Sequence, residues 1–101
     1  HPMLYAIELA GGLIKLGVTT DLAGRWRQLK STHGATRILA ISPGTESVER
    51  AIRRRLKAHR AHGYTYYRLD PEVLDLINSW RRTLHRQPLT TQTAAPAANH
   101  G

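Results

Sequence analysis

The apolar positions of this chain change period several times, and each change marks an element. Met3 to Leu9 is apolar and β-capable, Gly11-Gly12 is a turn dipeptide, and Leu13 to Val18 resumes a strand pattern, which together predict a β-hairpin. The spacing then turns helical: Leu22, Trp26 and Leu29 recur through about Thr32, behind Thr20 and Asp21, two good N-cap residues. His33-Gly34 stops that helix, and Arg37 to Ile41 predicts a third strand before the Pro43-Gly44 break. Thr45 can cap a second helix, with Val48, Ile52, Leu56 and His59 expected on its inward face and Gly63 as its stop. Tyr64 to Leu69 suits a short strand or turn. Asp70-Pro71-Glu72 then starts a last helix that packs through Val73, Leu74, Ile77, Trp80 and Leu84. From Gln87 to Gly101 the residues are mostly Pro, Thr, Ala and Asn, the composition of a disordered tail. The predicted order is ββαβα, a short extended piece, then α, an α+β domain over residues 3–86 without internal repeats.

Composition narrows the function classes. At 101 residues and 41% hydrophobic positions the chain can close one core, which excludes a second catalytic domain within it. Cysteine is absent, so neither a disulfide framework nor a thiolate metal site can form; with no secretory apolar region in view, a cytoplasmic setting is expected. No apolar run approaches membrane-spanning length, so no membrane partner is expected. His1-Pro2 ahead of Met3 reads as a cloning remnant and is set aside.

Charge changes the picture most. Fifteen Lys and Arg oppose seven Asp and Glu, for a net charge of +8, a common footprint of a nucleic-acid binder. Most of these cations are arginine, whose planar fork matches phosphate oxygens. Arg50, Arg53, Arg54, Arg55, Lys57 and Arg60 fall on the second predicted helix with only Glu46 and Glu49 to offset them. A charge run is usually a solvated face. This much like charge is better explained by a polyanion, so Arg50, Arg53, Arg54, Lys57 and Arg60, together with Arg27 and Lys30 of the first helix, are the expected phosphate contacts. Arg81, Arg82 and Arg86 form a second candidate group. Glu49 and Arg53 also stand four apart in the favourable order for a surface ion pair, so helical spacing alone gives Glu49 no special role. His59 and His62, three apart, lack the third ligand a zinc site needs. Tyr64, Tyr66 and Tyr67 could stack exposed bases, although alternation turns some of these rings into the core.

An ordered set of short motifs adds a resemblance. Leu4-Tyr5, Lys15-Leu16-Gly17, Thr20-Asp21 with Arg25 and Leu29, Pro43-Gly44, Glu49 with Ile52 and Leu56, Arg60 with Gly63, and Leu69-Asp70-Pro71-Glu72 together resemble the GIY-YIG nuclease superfamily, in its small phage and bacterial subgroup whose second motif reads Lys-hydrophobic-Gly. The resemblance implies a small three-stranded antiparallel sheet flanked by helices, and a divalent-metal-dependent endonuclease acting on DNA. It implies that Glu49 binds Mg2+ or Mn2+, that Arg25 steadies the scissile phosphate, and that Tyr5 orients or deprotonates the attacking water. Lys15 would supply charge, or accept a proton if desolvated, and Gly17 would keep the floor of the site open. Met3 replaces the first-motif glycine, Ile52 and Arg53 stand where many relatives carry histidine, and a second acidic group is missing. These departures leave a second expectation, a catalytically degenerate nucleic-acid-binding module on the same scaffold. A domain this small has little room for base readout, so specificity is expected from a homodimer or an additional domain or chain.

Overall fold

The computed structural model describes residues 1–63, 65–84 and 87–90. The predicted hairpin forms as β1 (Met3–Glu8) and β2 (Ile14–Thr19). The connection is a tight turn in which Gly11 and Gly12 sit at φ 87° and 89°, a region that disfavours any residue with a Cβ. Helix α1 spans Leu22–His33; the Asp21 carboxylate accepts from the Gly24 N–H at 3.0 Å, and Gly34 closes the helix in the left-handed conformation. Strand β3 (Arg37–Pro43) runs antiparallel to β1, and α2 (Glu46–Arg55) follows with Thr45 as its cap.

Between Arg55 and Gly63 the chain departs from the sequence expectation of a continuing helix, whereas the short strand expected within Tyr64 to Leu69 forms. Helix α2 ends at Arg55; Lys57–His59 form a 3-10 turn, Arg60–His62 form β4, and Gly63, at φ 61°, turns the chain into β5 (Tyr66–Tyr67). The sheet therefore has five antiparallel strands in the order β3-β1-β2-β5-β4, which corrects the three-stranded expectation. The three residues of β4 are too few to show a period of two in sequence. Both added strands exist because β2 offers a free edge: Ile14 pairs with Tyr67 and Lys15 with Tyr66.

Pleating then sorts the side chains. Leu4, Ala6, Ile14 and Leu16 point to one face, where they meet Leu39, Leu56, Tyr67 and the Val73, Ile77 and Trp80 side chains of α3 (Pro71–Thr83). Tyr5 and Ile7 point to the other, against Leu29 and Trp26 of α1. Because both faces are covered, β1 reads as a continuous apolar run with no alternation. Leu76 joins the buried stripe of α3, whereas Leu84 is 44% exposed. The last described residues pack on this helix: buried Asn78 donates to the Leu89 carbonyl at 2.9 Å and accepts from its N–H at 2.7 Å. Thus residues 87–90 of the expected tail are held in place; residues 91–101, together with Tyr64 and Arg86, lie outside the described residues. No helix among the described residues is long and apolar enough to cross a membrane.

Candidate functional site

Helix α2 keeps Ile52 and Leu56 on its inward face as expected, but Glu49 takes the place expected for Val48. Val48 is 44% exposed, while Glu49, at 8%, continues the inward stripe of Ile52 and Leu56. An ionised carboxylate in that position is unfavourable without nearby cations. Arg53 supplies one, with Nε 3.7 Å from Glu49 Oε2, an ion pair looser than a hydrogen bond.

Four elements converge at this point. Tyr5 from β1, Lys15 and Gly17 from β2, Arg25 from α1, and Glu49 and Arg53 from α2 line one open pocket of about 180 Å³, with Val18 and Thr65 completing its wall. Tyr5 and Gly17 are directly paired across the hairpin. A Cβ at residue 17 would lie 2.5 Å from the Tyr5 hydroxyl oxygen, so the glycine makes room for the tyrosine ring. Lys15 Nζ donates to Thr65 Oγ1 at 2.6 Å and lies 4.7 Å from the Tyr66 ring centroid. Arg25 Nη1 donates to Gln28 Oε1 at 3.0 Å, an exposed contact that leaves other donors of the fork for a ligand.

Burial sets the protonation behaviour. It pushes the Tyr5 hydroxyl above its ordinary value; Arg25 acts against that rise, while Tyr66 and Glu49 add to it. Tyr5 is therefore a phenol, a donor and orienter, at neutral pH. Burial also pulls the Lys15 ammonium below its ordinary value; Arg25 reinforces this and Glu49 opposes it. The lowered value enlarges the fraction of Lys15 present as the neutral amine.

A second surface adjoins the pocket. Arg50, Arg53, Arg54, Lys57 and Arg60 line a cleft of about 610 Å³, and Arg53 belongs to both. Arg25 and Val18 likewise join the pocket to a second cleft, beside Thr19, Thr20 and the Thr45-Glu46-Ser47 start of α2. The result is a trough with the carboxylate at its midpoint. Its basic wall is assembled from a helix, a turn and a strand. Arg60 is positioned because Arg68 donates to the carbonyls of Arg60 and Ala58 at 2.8 and 2.9 Å.

Other expected contacts lie elsewhere. Arg27 and Lys30 are exposed on α1, and Lys30 Nζ sits 5.7 Å from the Trp26 ring centroid, so neither lines the pocket or the cleft. Arg81 is buried and donates to the Leu39 and Gln87 carbonyls at 2.6 Å, a structural role that removes it from the second phosphate group. His59 is not on the inward face of α2; its two ring nitrogens meet Asp70 and Glu72 at 2.9 and 2.8 Å. His62 stacks on Tyr66. Tyr67 is fully buried in the core. Val18 and Thr65 are the pocket residues that sequence reasoning missed: Val18 read only as a strand position, and a threonine ahead of a two-residue strand carries no pattern.

The donor set restricts what metal the pocket suits. Glu49 is the one carboxylate among the residues lining it, and among the described residues no group of three His, Cys, Asp or Glu could hold an ion. That is unsuited to zinc. It suits a magnesium-like ion, which takes one or two carboxylates and completes its shell with water and substrate phosphate oxygens. Lys15, Arg25 and Arg53 repel a free cation, so such an ion would bind together with a phosphate.

The structure is a five-stranded α+β scaffold that carries an arginine-walled trough beside a pocket of Tyr, Lys, Arg and Glu. The chain belongs to the T5orf172 domain family, whose model matches residues 3–82. This match corrects the assignment to the GIY-YIG superfamily and the fold name that went with it. The motifs behind that assignment are two to four residues long and leave most of the intervening chain unconstrained. No curated protein and no solved structure matches the chain.

Proposed function

We propose that this domain is a divalent-metal-dependent endonuclease module that hydrolyses phosphodiester bonds in DNA. The observation that carries the reading is the inward-facing Glu49, held in one pocket with Tyr5, Lys15 and Arg25 and continuous with the arginine cleft. The cleft residues Arg50, Arg54, Lys57 and Arg60 track the phosphates on one side of the bond, and Arg53 hands the backbone into the pocket. Arg25 holds the scissile phosphate, where a preorganised cation opposes charge that accumulates in the transition state. The Tyr5 phenol donates a hydrogen bond that orients the attacking water, and Lys15 as the neutral amine takes the proton released as the water oxygen bonds to phosphorus; the P–O bond to the departing sugar oxygen breaks, and that oxygen takes its proton from solvent. Glu49 would hold magnesium or manganese, which when bound supplies Lewis-acid stabilisation of the phosphate oxygens.

One observation favours a second reading. Three cations surround a single carboxylate that already has Arg53 as a partner, an arrangement that also suits phosphate binding without cleavage. Incubation of supercoiled plasmid with magnesium or with chelator separates the two. Nicking that needs the metal and falls at least about 100-fold in Glu49→Gln supports the nuclease. Salt-sensitive binding unaffected by chelation, with no nicking by the parent, replaces it with the binding module.

A further inference from the structure

Two histidine rings lie against Tyr66 beside the pocket. His62, on β4, stacks on Tyr66 of β5 with centroids 4.8 Å apart and planes 18° from parallel. His33, the last residue of α1, meets the same tyrosine at 5.3 Å and 30°, with its Nε2 3.2 Å from the phenol oxygen. Tyr66 is fixed from within: it packs against the core around Leu29, and Lys15 Nζ lies 4.7 Å from its ring centroid. Both histidines are exposed. Because Lys15 also lines the pocket, these rings start one side chain from the phosphate site and run to the β4 edge of the sheet.

Exposed imidazoles usually keep rotamer freedom, and ordering them has an entropic cost. Here both imidazoles rest against the Tyr66 ring, an arrangement that favours a flat ligand that extends the stack. A nucleobase is such a ligand, and its own phosphate would then fall on the Lys15 side. A base within a duplex is covered on both faces by its neighbours, so only an unpaired base can join the stack. We propose that the His62, Tyr66 and His33 rings form a stacking platform for an unpaired nucleobase, so that the preferred substrate is single-stranded at the nucleotide adjoining the pocket. This rests on the nucleic-acid reading above and gives it a substrate class. Every base presents a π face, so the platform tolerates any sequence, in keeping with a domain too small for base readout.

The test uses the whole chain in chelator, so that nothing is cut, with an oligonucleotide carrying 2-aminopurine offered as a single strand or as a blunt duplex. The platform predicts quenching of the single-strand probe on binding and little change for the duplex. His62→Ala weakens single-strand binding about tenfold, duplex binding stays within about twofold, and His62→Phe restores the single-strand value. Equal losses on both probes, no loss on either, or failure of His62→Phe to rescue would overturn it. If both probes bind and Arg54→Ala weakens both while His62→Ala weakens neither, the platform fails and the phosphate-binding trough stands. If neither probe binds the parent at low salt, the nucleic-acid reading falls and the platform with it.

Discussion

Tyr5 and Gly17 show how closely the site depends on single side chains. A methyl group at residue 17 has no space beside the Tyr5 ring, which is buried and cannot move aside without disturbing Leu29 and Trp26. Gly17→Ala is therefore expected to cost about 1–3 kcal/mol by overpacking and to displace the phenol from the pocket. Thermal unfolding and nicking measured on the same preparation check this, and an unchanged melting curve contradicts the packing. Lys15 gives a prediction about pH. Its lowered proton affinity means that the neutral amine becomes more abundant as pH rises, so cleavage should increase through neutrality into the alkaline range, while Tyr5 remains a phenol. Lys15→Arg keeps the charge but cannot release a proton in this range; its rate should be low and flat with pH. Equal pH profiles for parent and variant would reduce Lys15 to a source of charge. Tyr5, Lys15, Arg25 and Glu49, which short ordered motifs single out in sequence, are brought together in one pocket by the fold. The Thr65 hydroxyl was not legible in sequence, since its contact with Lys15 joins residues fifty positions apart.

At the scale of elements, the least legible stretch was the one between α2 and α3. An arginine-rich segment with intermittent apolar residues reads as a continuing helix, yet it breaks at Leu56 and returns as β4 and β5. Tertiary contacts decide this: Arg68 caps two carbonyls of the returning chain, and the His59 ring is held between Asp70 and Glu72 at the start of α3. Asp70 is the N-cap residue of that helix, but its carboxylate serves His59 and Arg68 and makes no capping hydrogen bond. The carboxylates hold the His59 imidazolium above its ordinary value, chiefly through the Asp70 hydrogen bond, then that of Glu72. His59 in turn holds Asp70 below its own. A raised His59 value contributes stability that is full below the ordinary imidazole value and is lost as pH rises through the raised one. The lowered Asp70 value contributes above the ordinary carboxylate range and is lost as pH falls through the lowered one. The clamp should therefore be strongest in mildly acidic solution. Melting temperatures followed from about pH 5.5 to pH 9 should fall further in the parent than in His59→Gln. Parallel curves would show that the clamp does not couple to folding. On α3 itself, Asn78→Ala removes both hydrogen bonds to Leu89 and should cost about 1–3 kcal/mol, with the 87–90 segment becoming protease-sensitive.

For the whole molecule, topology gathers five cations of a chain with net charge +8 around one cleft. Four of the five cleft residues surround the C-terminal half of α2 and the turn after it, and Arg60 arrives from β4 at the sheet edge. The charge run was visible in sequence; that Arg27 and Lys30 lie away from the trough was not, because it depends on which way α1 faces across the sheet. Each trough cation that neutralises a phosphate should add close to one unit to the salt dependence of binding. Arg54→Ala and Lys57→Ala should each reduce that slope by about one, while Lys30→Ala leaves it unchanged. The central claim is that the trough and the pocket form one apparatus, with binding in the arginines and cleavage at Glu49 and Arg25. Single-turnover cleavage of a labelled branched duplex in magnesium tests it, with the affinity of each protein for the same duplex measured in chelator. Glu49→Ala and Arg25→Ala should bind within about threefold of the parent and cut at least about 100-fold more slowly. Cleavage by Glu49→Ala at the rate of the parent would place the chemistry elsewhere and contradict the account.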